Sequence, residues 1–122
     1  MYERLGGEAA LRAIIADFVG RVLSDFMIGF MFRAVARERL EEFEFQHAAE
    51  HLGGPVRYQG RPLREAHRPH RIMGGQFGRR QQLLRQTLEA HGAPQDIIDA
   101  WLAHNESLRD QVTTDPDGQC NE

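Results

Sequence analysis

Lysine is missing from this 122-residue chain, cysteine occurs once, and no apolar run approaches the ~18 residues of a transmembrane helix. The lone cysteine, Cys120, has no partner within the chain, so a disulfide framework is excluded and a reducing compartment is expected. The N-terminal segment MYERLGGEAAL lacks the basic-then-apolar order of a secretory signal. We therefore expect an unprocessed, soluble protein of the cytoplasm.

An excess of one charge is also absent. The 15 basic residues are all arginine, 18 acidic residues are interspersed with them, and the formal net charge is −3. Such a surface offers no basic field to nucleic acid or to an anionic membrane, so neither is expected as a partner. The length fits one domain with one core and room for one small cofactor, as a monomer or a weak homodimer.

Strand signals are missing as well, because neither apolar-polar alternation nor an Asn-Gly hairpin occurs. Helical spacing of apolar residues is present instead, and Gly53-Gly54-Pro55 is a typical helix end. The expected helices run from about Gly7 to Leu23, Arg37 to Leu52, Gln76 to His91 and Pro94 to Val112. The pattern predicts an all-helical protein.

Shorter segments connect or follow these helices. Met27 to Val35 is apolar and aromatic but too brief for a full helix, so it predicts a packed corner. Pro62 can open a brief helical turn that reaches His67. The polar residues 113–122 are expected to be a disordered tail, which leaves one domain over residues 1–112.

The second predicted helix carries a polar stripe. At 100° per residue, Glu44, His47 and His51 fall within about 60° of one another. The apolar residues on either side are Leu40, Phe43, Ala48 and Leu52, and the opposite arc carries Glu42, Gln46 and Glu50. We therefore expect the stripe to face inward, where each unsatisfied polar group costs about 1 to 3 kcal/mol. Such a stripe indicates a functional site.

Several segments, taken in order, resemble the truncated haemoglobins, and most closely the group I type. They are the opening YERLGGEAALR, the Phe-Met-Phe corner, a helix running into LGGP, then Tyr58, Gly60 and the pair Ala66-His67 ahead of Ile72 and Phe77. The resemblance covers about residues 2 to 112. It implies a two-over-two helical sandwich around haem b, with oxygen or another diatomic gas bound at the iron.

The resemblance also implies roles for particular residues. His67 takes the place of the proximal iron ligand, and His47 is a candidate for the distal ligand. The residues implied to line or edge the haem are Phe32, Leu40, Glu44, His47, Tyr58, Phe77, Arg80 and Trp101. Arg39 and Arg64 are the candidate partners of the haem propionates, because a guanidinium binds a carboxylate well.

The chain departs from the family pattern at three pocket positions. Val19 stands where a tyrosine usually donates to bound oxygen, Glu44 where a glutamine is common, and Arg80 where an apolar residue normally lies. The changes argue against high-affinity oxygen storage, while haem binding and oxygen transport stay compatible with the rest. Glu44 can donate only as a neutral acid. An acid and an imidazole over iron also suit peroxidase or nitric-oxide dioxygenase chemistry, with an electron-donating reductase as partner.

Three other interpretations compete with a haem pocket. In the first, Glu44 pairs with Arg80 as a structural ion pair and the histidines are satisfied by backbone or water. In the second, the same polar groups line a globin-fold cavity that holds another small ligand without haem. His104 is expected on the surface in each case, and Trp101 in the core.

The third alternative is a zinc hydrolase. His47-Ala48-Ala49-Glu50-His51 spells the H-x-x-E-H motif, in which two imidazoles one helical turn apart bind zinc and the glutamate acts as base. A third protein ligand is needed, for which His67 or His70 is available.

Overall fold

The computed structural model describes residues 1–59 and 74–109. These ranges contain four α-helices and two short 3-10 segments, with no strand: α1 (Gly7–Ser24), α2 (Arg37–His51), α3 (Gly74–Ala90), α4 (Gln95–Ser107), and the 3-10 segments Glu3–Leu5 and Gly29–Phe32. The predicted helices are confirmed to within a few residues at most ends. The turn expected before His67, the boundary at residue 112 and the tail 113–122 lie outside the described residues. None of the described helices has the length and apolarity of a membrane span.

Helix α1 is the central element. It packs against α2 and against α3, and α3 packs in turn against α4. Most of the apolar residues that predicted α1 are buried along one side of it, while Ala10 and Leu23 are partly buried; the buried ones are Leu11, Ile14, Ile15, Phe18, Val19 and Val22. Helix α4 adds Ile97, Ile98, Trp101 and Leu102 to the same core. The i, i+3, i+4 spacing therefore identified the buried face of α1 correctly.

The corner after α1 is built around Asp25. Its carboxylate accepts hydrogen bonds from the backbone N–H groups of Met27 and Ile28, at 3.0 and 3.2 Å. Gly29 follows so close to α1 that a Cβ there would lie 2.6 Å from the carbonyl oxygen of Leu23. Ile28 is 2% exposed and holds the corner to the core.

The packed corner expected over Met27 to Val35 is confirmed only in part. Phe26 is 99% exposed, and Met27 and Phe30 are about half exposed. Phe32 is partly buried against the core. A 3-10 segment of four residues turns only one side inward, and Ile28 and Gly29 occupy that side.

Helix α2 ends at the predicted glycine. Gly53 has φ +89°, in the left-handed region, and the N–H of Gly54 donates to the carbonyl of Ala49 at 2.8 Å. The ring of Tyr2 covers Gly54, and the N–H of Tyr2 donates to the carbonyl of Leu52 at 3.0 Å. This end of α2 is thus tied to the N-terminal segment, which fixes the direction in which α2 presents its side chains.

Candidate functional site

The most deeply buried face of α2 is not the polar stripe. Phe45, Ala48 and Ala49 are the buried residues of this helix. The guanidinium of Arg12 on α1 lies 3.8 Å from the ring centroid of Phe45, and it also donates to Glu42 at 3.1 Å. Glu42, which the sequence placed on the arc of α2 opposite the polar stripe, therefore lies beside the contact with α1.

The stripe itself lies on the adjacent flank of α2. Glu44, His47 and His51 are all half-buried. The expectation that they face inward is confirmed only in part: the helix buries its Phe45 face against α1, and the half-buried stripe is rotated away from that contact toward α3 and α4. Its polar groups keep some access to water, so the full cost of burying an unsatisfied polar group does not apply to all of them.

Glu44 forms an ion pair with Arg80 of α3. The Nη2 atom of Arg80 donates to Oε1 of Glu44 at 2.7 Å. The two side chains are 22% and 26% exposed, for Arg80 and Glu44 respectively. The Arg80 guanidinium also lies 4.9 Å from the ring centroid of Phe18 on α1. The ion pair proposed from the sequence is formed, at the place where α1, α2 and α3 meet.

The two stripe histidines form a row with His104 of α4. The rings of His51 and His104 stack with centroids 3.7 Å apart and planes at 10°. The centroid of His47 lies 5.8 Å from that of His104. Burial lowers the pKa of each of the three imidazoles, and for His47 the nearby Glu44 carboxylate partly offsets this by raising the pKa. The neutral form of each ring is therefore favoured at neutral pH.

His104 was assigned to the surface from the sequence, and this is wrong. It lies three residues after Trp101 and seven after Ile97, which is the spacing of the inner face of α4. That spacing was the signal that could have identified it.

Tyr58 lies beside His47, as the resemblance implied for a residue at the pocket edge. Its ring packs edge-on against Phe43 and His47, with centroids 5.9 and 5.4 Å apart. Its backbone N–H donates to Oε1 of Glu50 at 2.7 Å, and the N–H of Gln59 donates to Oε1 of Gln46 at 2.8 Å. The segment after α2 is therefore tied back onto that helix.

The H-x-x-E-H motif does not form a metal cluster among the residues that the structure describes. Glu50 is exposed and accepts the Tyr58 N–H, and the His51 ring is stacked on His104. In residues 1–59 and 74–109, no group of three His, Cys, Asp or Glu side chains could hold a metal ion. His67 and His70, the candidate third ligands, lie outside these ranges.

Some of the other apolar candidates are partly buried at the edge of the core, and the rest lie inside it. Phe32 and Leu40 are partly buried and pack against the edge of the core. Phe77 is 3% exposed, Trp101 4% and Val19 1%. Trp101 belongs to the core, as expected, so of these apolar candidates Phe32 and Leu40 are the partly exposed ones.

Of the charged candidates, Arg39 is exposed and its guanidinium lies 4.9 Å from the ring centroid of Phe43. Arg64 and His67 lie outside the described residues, so their assigned roles remain predictions. The structure brings together Glu44, His47 and Arg80 from two helices.

The chain matches known proteins over nearly its whole length. The family model described as Bacterial-like globin matches residues 1–114. A group 1 truncated hemoglobin of Mycolicibacterium paratuberculosis is 29% identical over 119 residues, covering 98% of this chain and 88% of that protein. A group 1 truncated hemoglobin of Synechocystis sp. is 36% identical over 104 residues, covering 80% of this chain and 82% of that protein.

Solved structures agree. The Fe(III) form of truncated hemoglobin from Tetrahymena pyriformis matches with a TM-score of 0.84 and 27% identity, covering 92% of this chain and 96% of that one. The 2/2 hemoglobin from Synechococcus sp., solved in the cyanomet state with covalently attached heme, matches with a TM-score of 0.80 and 26% identity, covering 90% and 93%. The two-over-two helical fold is confirmed, and the chain belongs to the truncated haemoglobin family.

Proposed function

We propose that this protein binds haem b with His67 as the proximal iron ligand, and a diatomic gas on the side of Glu44 and His47. The observation that carries the proposal is the half-buried flank of α2, which turns Glu44 toward Arg80 of α3 and His47 toward His104 of α4 instead of burying them against α1. The family membership supports the same reading.

The residues of this flank fit a porphyrin. A porphyrin is flat and apolar with two carboxylates at one edge, so it needs apolar walls and cations near water. Phe32 and Leu40 are apolar, partly exposed and anchored to the core. Arg39 is exposed at the start of α2, where its guanidinium can bind a carboxylate.

The donor chemistry fits as well. Neutral imidazole is a good ligand for haem iron, and a bound haem supplies the metal centre at which a diatomic gas binds. The resemblance assigns the proximal imidazole to His67. On the other side, this chain offers the neutral ring of His47 and the Glu44–Arg80 pair.

His47 has two ring neighbours, Tyr58 and His104. We propose that these contacts keep it as a polar neighbour of the gas site, so that the iron is five-coordinate before the gas binds. His47→Ala should then leave the absorption spectrum of the haem protein in the five-coordinate form. A change from a six-coordinate to a five-coordinate spectrum on this substitution would instead identify His47 as an axial ligand.

The main test is the visible spectrum of the purified protein with and without added haemin. We expect a Soret band with one haemin per chain, lost or strongly weakened in His67→Ala. His70→Ala is the matched control, a histidine three residues further on, and should keep the band. An unchanged Soret band and haemin affinity in His67→Ala would contradict the assignment of the ligand.

The same preparation decides between the proposal and the alternatives. Stoichiometric zinc by elemental analysis without a Soret band would support a hydrolase using His47, Glu50 and His51. A protein that takes up neither zinc nor haemin would support a globin-fold module that holds another small ligand beside Arg80.

A further inference from the structure

We propose that Arg80 is the hydrogen-bond donor to the ligand at the iron, and that the pocket thereby favours small anions at ferric haem, with Glu44 as the residue that positions the guanidinium. The inference rests on the haem binding proposed above. It is carried by the Glu44–Arg80 contact and by what surrounds it.

Arg80 lies where a charged residue is uncommon. It is in the middle of α3, its side chain is 22% exposed, and its guanidinium is over the ring of Phe18. A charge that is largely removed from water needs a partner, and Glu44 supplies one. The contact of the guanidinium with an aromatic face adds a cation–π interaction from α1. The guanidinium is therefore held from two helices at the junction of α1, α2 and α3.

The pair leaves donors of Arg80 available. A guanidinium has five N–H donors and no acceptor. Over residues 1–59 and 74–109, the single hydrogen bond of Arg80 is the one from Nη2 to Glu44. Its neighbour Arg79 differs: Nε and Nη2 both donate to Asp25, and Nη1 donates to Gln82. Arg79 is used in holding the fold together, whereas Arg80 keeps N–H groups for a ligand.

The guanidinium also compensates for a missing hydroxyl. The resemblance places a donor tyrosine at the position of Val19, which is apolar and 1% exposed. Phe18, the preceding residue, is the one that contacts Arg80. The donor is thus supplied from α3, against the same turn of α1.

A guanidinium differs from a tyrosine hydroxyl in a way that sets the ligand class. It only donates, and it carries a fixed positive charge. Charge-assisted hydrogen bonds are stronger than neutral ones, so the preference should be largest for ligands with a full negative charge. Glu44 binds one edge of the guanidinium and directs the remaining N–H groups.

The test uses the ferric haem protein and fluoride as probe, followed by visible absorption. Arg80→Met should weaken fluoride binding by about tenfold or more, as expected for the loss of a charge-assisted hydrogen bond. The fluoride affinity of Arg80→Lys should lie between those of the parent and of Arg80→Met, because lysine keeps the charge but lacks the planar set of N–H donors of the guanidinium. Arg85→Met, on an exposed part of α3, is the matched control and should bind fluoride as the parent does.

A second readout separates a direct contact from a general loss of structure. In the ferrous carbon monoxide complex, a nearby positive donor lowers the C–O stretching frequency, so Arg80→Met should raise it and Arg85→Met should leave it unchanged. Glu44→Gln, which removes the opposing charge but keeps an acceptor for Arg80, should tighten fluoride binding. If Arg80→Met takes up no haemin, the role of Arg80 is judged from the fluoride affinities of Arg80→Lys and Glu44→Gln.

The outcomes distinguish this inference from the proposed function. A parent protein without a Soret band would contradict haem binding, and this inference would fail with it. A normal Soret band, with the fluoride affinity and C–O frequency of Arg80→Met equal to those of the parent, would overturn the role of Arg80 alone.

Discussion

The imidazole rings of His51 on α2 and His104 on α4 stack face to face, with their centroids 3.7 Å apart. This contact connects α2 and α4, which are not consecutive helices in the chain. Nε2 of His51 is buried and has no hydrogen-bond partner in the part of the chain that the structure describes. Burial lowers the pKa of both rings, because protonation of either one would place a charge in a site with little access to water.

The first prediction follows from these lowered pKa values. Below the ordinary histidine pKa of about 6.5, the unfolded chain binds more protons at these positions than the folded one does. The midpoint of thermal unfolding of the haem-free protein should therefore fall as the pH is lowered from about 7 through 6.5 and toward the lowered pKa values of the folded rings. His104→Gln should make the dependence shallower. Equal slopes in the parent and in His104→Gln would contradict the prediction.

The second prediction concerns Asp25, whose side chain is 5% exposed. The hydrogen bonds from Arg79 are the main cause that lowers the pKa of Asp25 below its ordinary value of 3.8. A carboxyl group of lowered pKa stabilises the fold above that value, and the contribution is lost as the pH falls through the folded pKa. Asp25→Asn should lower the thermal midpoint at neutral pH, and the gap to the parent should narrow in acid.

The control for Asp25 is Asp99→Asn, at an exposed position of α4. It should change the midpoint little at any pH, because exposed charged groups contribute little to stability. A gap between Asp25→Asn and the parent that stays constant down to pH 3 would argue against the pairing with Arg79.

The third prediction tests which face of α2 is buried. Phe45 is 2% exposed, whereas Phe43 is half-buried beside Tyr58. Phe45→Ala should therefore reduce the free energy of unfolding by about 3 to 5 kcal/mol, and Phe43→Ala by clearly less. Denaturant unfolding of the haem-free protein measures both. A larger loss from Phe43→Ala would place the deepest face of α2 along the polar stripe after all.

The fourth prediction concerns the contact between Tyr2 and Gly54. A Cβ on Gly54 would lie 2.6 Å from Cδ2 of the Tyr2 ring, so Gly54→Ala should destabilise the protein by about 1 to 3 kcal/mol. Gly78→Ala is the opposite case, since within residues 1–59 and 74–109 its Cβ would meet nothing within 4 Å and it lies inside α3. That substitution should stabilise the haem-free protein by roughly 0.5 to 1 kcal/mol. Equal effects of the two substitutions would contradict the close packing of Tyr2.

The sequence predicted most of the helical frame because its signals were local. The apolar spacing of α1 and the glycine at the end of α2 each depend on a few neighbouring residues, and both are confirmed. The buried face of α2 was not identified, because Phe45 lies between Glu44 and Gln46 and its burial is completed by Arg12 from another helix.

The site was predictable only in part, for a similar reason. Glu44 and Arg80 were paired from their charges, but their position against Phe18 depends on how α1 and α3 pack. His104 was misplaced although its spacing from Trp101 marked the inner face of α4; its stacking on His51 depends on how α2 and α4 pack, which the sequence does not give.

The backbone N–H groups of Tyr58 and Gln59 donate hydrogen bonds to the side chains of Glu50 and Gln46, and these bonds have a consequence beyond this segment. They anchor the chain eight residues before His67, so the Cα atom of His67 can lie no more than about 28 Å from that of Gln59 at full extension. If His67 holds the haem iron as proposed, the side chains of Glu50 and Gln46 thereby limit where the iron can lie, and haem retention should respond to substitutions at these two positions of α2.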